Sequence, residues 1–316
     1  MYRSAGLEAS NFVAGVDKAY IIIMGISLVF LVALTVIMIW FVYRYHEKRN
    51  KVATQIPGSN RLEIIWTAIP TLLVLLMFYY GWIAYRPMRN PPPDAMKVTS
   101  VARMWSFSFQ YENGKRSDKL ILPVNKPVKI DLLSVDVIHS LFIPAFRVKE
   151  DMVPGQEKFM WFTPTNLGTY DLFCAEYCGL QHSYMTSTVE VLSEEDFNAW
   201  YVDTTLVIAG EAEMPGAAGF AILQVNGCNA CHTSDGSRLV GPSHLGVYGQ
   251  PRMVLRGREK IEVVADEEYI KRAIYDPEYE IVEGYQKGLM QSYRDVLTDD
   301  DIKLIIEYLK GLNEKR

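Results

Sequence analysis

Residues 174–185 read CAEYCGLQHSYM, with Cys174, Glu176, Cys178, His182 and Met185 at intervals of two to four positions. Thiolate, imidazole and thioether are soft or borderline donors, a set that selects copper or zinc over magnesium or calcium. The whole chain has only four cysteines, and the other two, Cys228 and Cys231, sit together in GCNACH. Two separated pairs point to two cofactor sites and not to a disulfide framework.

A single blue-copper centre takes one Cys, two His and a distant Met. His139, upstream in DVIHS, supplies a second imidazole, so one thiol is surplus to such a centre. Two thiolates can bridge two metals, and a copper pair sharing Cys174 and Cys178, each copper with its own His, uses every donor in the set. A zinc site of two Cys and two His is the alternative, and it leaves Met185 without a task.

The residues around this stretch read as strands. Trp105, Phe107, Phe109 and Tyr111 alternate along one face and are followed by the turn ENGK; KLILPV, PVKIDLL, KFMWF, TYDLF and MTSTVEVL are further short β-rich runs. Such spacing predicts a small β-sandwich or barrel over residues 96–192.

Before it, the Pro-rich joint RNPPPDA (89–95) follows two long apolar segments. Ile21 to Tyr43 and Ile64 to Tyr85 are each uncharged and long enough to cross a hydrocarbon core of roughly 30 Å. Between them Arg44, Lys48, Arg49 and Lys51 face a single acid, Glu47, which predicts a cytoplasmic loop and an outward-facing β domain. An apolar share of 49% excludes a disordered chain, and a net charge of −5 gives no support for nucleic-acid binding.

After the linker AGEAEMPGAAG (209–219), Cys228-Asn-Ala-Cys231-His232 is the attachment pattern of a c-type haem: two thioethers and an adjacent imidazole for the iron. Cys residues at i and i+3 share one helical face and so one porphyrin edge. Met253 and Met290 are the candidates for the second axial ligand. Thr298 and Asp301 read as a helix start, and Ile302, Ile305, Leu309 and Leu312 give the last helix one apolar face. His244, in GPSHLG, reads as a loop residue.

The hairpin, the β-rich domain, DVIHS and the string C-x-E-x-C-G-x-x-H-x-x-M together resemble subunit II of the haem–copper cytochrome c oxidases over about residues 15–200. The resemblance implies a cupredoxin fold and a binuclear CuA centre held by His139, Cys174, Cys178, His182 and Met185. It also implies that Glu176 ligates copper through its carbonyl and magnesium through its carboxylate at the contact with subunit I. Trp105 falls at the family's electron-accepting aromatic position, although the usual Trp-Tyr-Trp run is Trp-Ser-Phe here. Glu63, in LEIIWTAIP, matches an acid at the cytoplasmic mouth of the proton path.

EGYQKGLMQSYRDVLTDDD resembles the stretch of small bacterial cytochromes c that carries the axial methionine, which favours Met290, with Gln291 in place of the usual proline. A haem c domain behind a CuA domain resembles the caa-type bacterial oxidases. The fold expected is therefore multidomain: a transmembrane hairpin over residues 1–90 with spans at about 20–43 and 63–85, a CuA cupredoxin domain over 91–200, and a linker with a small all-α cytochrome c domain over 201–316. The resemblance implies electron transfer from haem c through CuA to subunit I, where oxygen is reduced and protons are pumped. Implied partners are subunits I and III, the lipid bilayer of a bacterial inner membrane, and cytochrome c or a quinol-oxidising complex as donor. The alternatives are a CuA subunit of a nitric oxide reductase and a membrane-tethered copper carrier.

Overall fold

The computed structural model describes residues 9–52, 55, 57–203 and 216–313, so most of the linker lies outside the described residues. Two helices, α1 (Val13–Arg44) and α2 (Asn60–Tyr85), form the hairpin, and their apolar side chains point outward along nearly the whole length. Both are long and apolar enough to cross a membrane. The Ser59 hydroxyl caps α2 by accepting from the Leu62 N–H, and Pro70 lies inside that helix.

The outer ends of the hairpin are tied to the β domain. Ser10 Oγ donates to the Phe146 carbonyl at 2.8 Å, the Phe12 ring meets Trp161 edge-on, and Arg147 pairs with Asp17 at 2.7 Å. On the other side, Trp161 Nε1 donates to the Pro87 carbonyl and Arg89 pairs with Glu150. The membrane anchor therefore meets the β domain through defined contacts.

That domain has ten strands: β1 (Met96–Arg103), β2 (Ser106–Tyr111), β3 (Arg116–Ser117), β4 (Leu120–Pro123), β5 (Val128–Ser134), β6 (His139–Ile143), β7 (Val148–Met152), β8 (Lys158–Phe162), β9 (Gly168–Cys174) and β10 (Thr186–Leu192). They make two five-stranded sheets, β3-β2-β1-β5-β8 and β4-β10-β9-β6-β7. The pairs β1 with β5 and β4 with β10 run parallel, and the remaining pairs antiparallel. Phe109, Ile130, Leu132, Phe162, Leu141, Ile143 and Leu172 are fully buried between the sheets. Phe107, Phe109 and Tyr111 face this core as alternation predicts, whereas Trp105 lies in the turn between β1 and β2. Helix α3 (Glu194–Val202) then closes the domain edge, its Trp200 ring 4.9 Å from Tyr111.

The C-terminal domain is built on three helices, α4 (Ala217–Val225), α5 (Glu267–Tyr275) and α6 (Asp299–Asn313). The expected capping box is present: Thr298 N–H donates to Asp301 Oδ2 and Asp301 N–H to Thr298 Oγ1. Ile302, Ile305, Leu309 and Leu312 are all buried. The domain carries in addition a small sheet that the expectation of an all-α unit did not contain, β12-β11-β13, from β11 (Pro251–Arg256), β12 (Glu259–Val264) and β13 (Ile281–Val282). Only Val254 of β11 is buried, so the apolar alternation that would announce a strand is nearly absent.

Helices α4 and α6 cross at Gly219, where an added Cβ would overlap the carbonyl of Leu304 and press on Tyr308. Backbone cannot give way at a packed crossing as a side-chain tip can. Gly219→Ala is expected to destabilise the domain by about 1–3 kcal/mol and to lower its calorimetric transition by roughly 4 °C or more. An unchanged transition would mean that the two helices do not approach this closely.

Candidate metal centre and haem cavity

His139 opens β6 and Cys174 ends β9, its neighbour in the sheet, so both arrive at the same end of the sandwich. The loop from Cys174 to Met185 then folds back on itself, Cys174 N–H donating to the Met185 carbonyl at 3.1 Å. Cys174 Sγ lies 3.8 Å from Cys178 Sγ and 3.9 Å from His139 Nδ1. Cys178 Sγ lies 3.5 Å from His182 Nδ1 and 3.7 Å from Met185 Sδ, and the Glu176 carbonyl is 3.2 Å from Cys174 Sγ. All six residues expected from the sequence therefore meet in one cluster, each imidazole at its own thiol. The cysteines, His139 and Met185 are buried, while the Glu176 side chain is half-buried.

The electrostatics suit a cationic occupant. Burial and the negative charge on Cys174 push the Cys178 thiol up, so the empty pair resists a second ionisation. For Cys174 burial also acts upward, but hydrogen bonds from His139 and from the backbone outweigh it and bring the thiol down. Two bridging thiolates thus need compensating positive charge, and the soft donors present fit copper.

Asp136 is a residue that sequence reading missed, although it begins the DVIHS motif. Its side chain is 3% exposed. Oδ1 accepts from His139 Nε2 at 2.8 Å and from the Val137 N–H, and Oδ2 accepts from the Met104 N–H at 2.7 Å. A carboxylate can only accept, so Nε2 carries a proton, and Nδ1, which faces Cys174, is the nitrogen that would meet a metal. Burial disfavours the imidazolium, yet Asp136 and Cys174 outweigh it and hold the His139 pKa above its ordinary value. Asp136→Asn keeps the shape and removes the charge, and is expected to cost about 10–100-fold in copper retention against a chelator. Parent-like retention would show that Asp136 does not hold His139.

In the C-terminal domain, Cys228–Ala230 forms a short 3-10 turn, and Cys231 and His232 N–H both donate to the Cys228 carbonyl. Both thiols line the same cavity. Cys228, Cys231, His232 and Met290 line a single cavity, along with Arg252 and, from the β domain, Arg103. Met253 is 40% exposed on β11 and does not line it. His232 Nδ1 donates to the Pro242 carbonyl at 2.7 Å, and burial holds its pKa below the ordinary value, which leaves a neutral Nε2 lone pair. Burial pushes Cys228 up to about 12 and Cys231 up to about 11. A redox dithiol needs a lowered thiol, which this pair lacks.

The cavity also holds polar atoms awaiting a partner: Arg252 Nε and His244 Nδ1 are buried without one. His244 lies in a loop as expected, but its ring stacks on His232 at 4.8 Å, which its loop sequence did not indicate. Glu63 sits exposed in the first turn of α2, far along the chain from both centres. Trp105 is buried, with Nε1 donating to the Cys178 carbonyl at 3.1 Å.

Comparison with known proteins identifies the family. The transmembrane-domain model of cytochrome c oxidase subunit II matches residues 7–82, and the periplasmic-domain model of the same family matches residues 110–192. Cytochrome c oxidase subunit 2 of Alkalihalophilus pseudofirmus is 26% identical over 303 residues, covering 92% of this chain and 85% of its own, an overlap that takes in most of the C-terminal domain. An alternative cytochrome c oxidase subunit 2 of Bradyrhizobium diazoefficiens is 32% identical over 53% of this chain and 72% of its own length. Among solved structures, the periplasmic domain of subunit II of cytochrome oxidase from Bradyrhizobium japonicum is 26% identical, with a TM-score of 0.35, over 36% of this chain and 96% of that one. With both family domains matched in order and the soft-donor cluster inside the second, the chain belongs to the cytochrome c oxidase subunit II family, the copper-bearing subunit of a haem–copper oxidase.

Proposed function

We propose that this chain delivers electrons to subunit I of a bacterial respiratory oxidase through a covalently bound haem c and a CuA pair. When bound, the two groups supply reversible one-electron chemistry, and oxygen reduction coupled to proton pumping belongs to subunit I. Trp105 carries the reading: its indole N–H donates to the carbonyl of Cys178, while its chain neighbour Met104 lines the cavity of Cys228 and Cys231. One residue pair thus touches both sites, which is what short-range electron transfer needs.

The residues divide the work. Cys228 and Cys231 would tether the porphyrin, and His232, whose Nδ1 is taken by the Pro242 carbonyl, and Met290 would hold its iron. Cys174, Cys178, His139, His182, the Met185 thioether and the Glu176 carbonyl would together hold the copper pair, which would supply one-electron chemistry there. The Glu176 carboxylate, a hard oxygen donor, would hold magnesium at the contact with subunit I. Glu63, at the end of α2 beside the basic loop, stands at the cytoplasmic mouth of the proton path, with both redox domains on the outer face of a bacterial inner membrane. Subunit III and a cytochrome c or quinol-oxidising donor complete the assembly.

Metal and haem analysis of the purified chain, with visible and near-infrared spectra before and after reduction, tests this. Two coppers and one covalent haem per chain, with a near-infrared band that vanishes on reduction, are expected. Zinc in place of copper, or copper that a mild chelator removes, would overturn the reading.

A further inference from the structure

The C-terminal domain does not hang free of the copper domain but rests on the turn between β1 and β2. Gly227, immediately before the first haem cysteine, fits so closely on Ser106 that an added Cβ would overlap the serine side chain. Beside it the Arg103 guanidinium lies 4.7 Å from the centre of the Tyr293 ring, and Tyr293 in turn donates to the Asn226 carbonyl, one residue from Gly227. Two polar contacts flank this pair: Gln224 Nε2 donates to Asp118 Oδ2 at 2.8 Å, and Arg116 donates to the Val296 carbonyl. Cys231 and Leu289 pack against the hydrophobic core of the copper domain itself.

Resting on the haem c reading above, we infer that the turn Arg103–Ser106 is the seat on which the haem domain docks in one fixed orientation for electron transfer, with Arg103 as its positioning residue. The same four-residue turn contains Met104, which lines the haem cavity, and Trp105, which bonds the copper loop. The seat and the route between the centres are therefore one element, and the domain needs no excursion to pass its electron. A single electron crosses in each event, the haem side being oxidised and the copper side reduced by one equivalent, with no bond made or broken. A cation over an aromatic ring gains strength as the pair is desolvated, and here Tyr293 is buried and Arg103 half-buried. Asp136 braces the turn from beneath by accepting the Met104 N–H.

The test uses the full chain with copper and haem in place, the haem being reduced by a light pulse and the copper band followed in the near infrared. In the parent, the rate is expected to be independent of solvent viscosity, because no domain motion precedes transfer. Ser106→Trp, which wedges the seat open, is expected to slow transfer about tenfold or more, and Arg103→Ala, which loses one cation–π contact worth roughly a tenfold change in the docking equilibrium, by less. In both variants transfer is expected to become viscosity-dependent, and in Ser106→Trp, which leaves the charged groups lining the haem cavity in place, the reduction potentials of the two centres are expected to stay at parent values. A parent rate that falls with viscosity, or parent-like rates in both variants, would overturn the seat. Absence of covalent haem from the parent chain would instead overturn the function on which it rests.

Discussion

A Cys178→Ser chain is expected to lose the near-infrared copper band and to stop delivering electrons to subunit I, while its haem domain still reduces normally. Three donors converge on this one sulfur: Cys174 Sγ at 3.8 Å, His182 Nδ1 at 3.5 Å and Met185 Sδ at 3.7 Å. A serine oxygen is harder, remains protonated and cannot bridge two soft metals, so the cluster keeps donors for at most one copper. The loss exceeds the roughly 10–100-fold that removing an outer partner such as Asp136 costs, because a bridging ligand itself is gone. Copper analysis beside turnover of the assembled enzyme checks this, and two coppers with full turnover would remove Cys178 from the centre.

Met290→Ala is expected to leave the haem on the chain and to lower its reduction potential. The attachment runs through Cys228 and Cys231, which the substitution leaves intact, so a pyridine haemochrome assay should return the parent content. Loss of a thioether ligand removes the donor that favours ferrous iron, and the fall should be a sizeable fraction of the roughly 0.8 V over which axial ligation tunes haem. Met253→Ala is the matched control: Met253 is exposed on β11 and away from the cavity, and its removal should not move the potential. A redox titration separates the two, and an unchanged potential in the Met290 variant would deny it the axial role.

What could be read from the chain alone is what depends on near neighbours. The two spans follow from length and apolar composition, and α1 and α2 occupy them. The strands β4, β5, β8, β9 and β10 fall on the runs that alternate or bear β-branched and aromatic residues. The C-x-x-C-H pattern is legible because one turn brings i and i+3 together, and the start of α6 because Thr298 and Asp301 cap each other within three residues. The copper string is legible for the same reason, since four of its five side-chain donors lie within twelve positions.

Tertiary structure decided what depends on residues far apart in sequence. His139 reaches Cys174 only because β6 pairs with β9, and Asp136 acts on the Trp105 turn by accepting from Met104, 32 residues away. The small sheet β11–β13 forms from strands too exposed to show a pattern, and His244 becomes a stacking partner of His232 only when its loop folds inward. The contact between the C-terminal and β domains is the furthest case, since Gly227 and Ser106 are ordinary residues until two domains meet. Local spacing encodes which groups can bind a metal or a haem; long-range packing alone sets how far apart the two centres stand, and no periodicity in the sequence carries that distance.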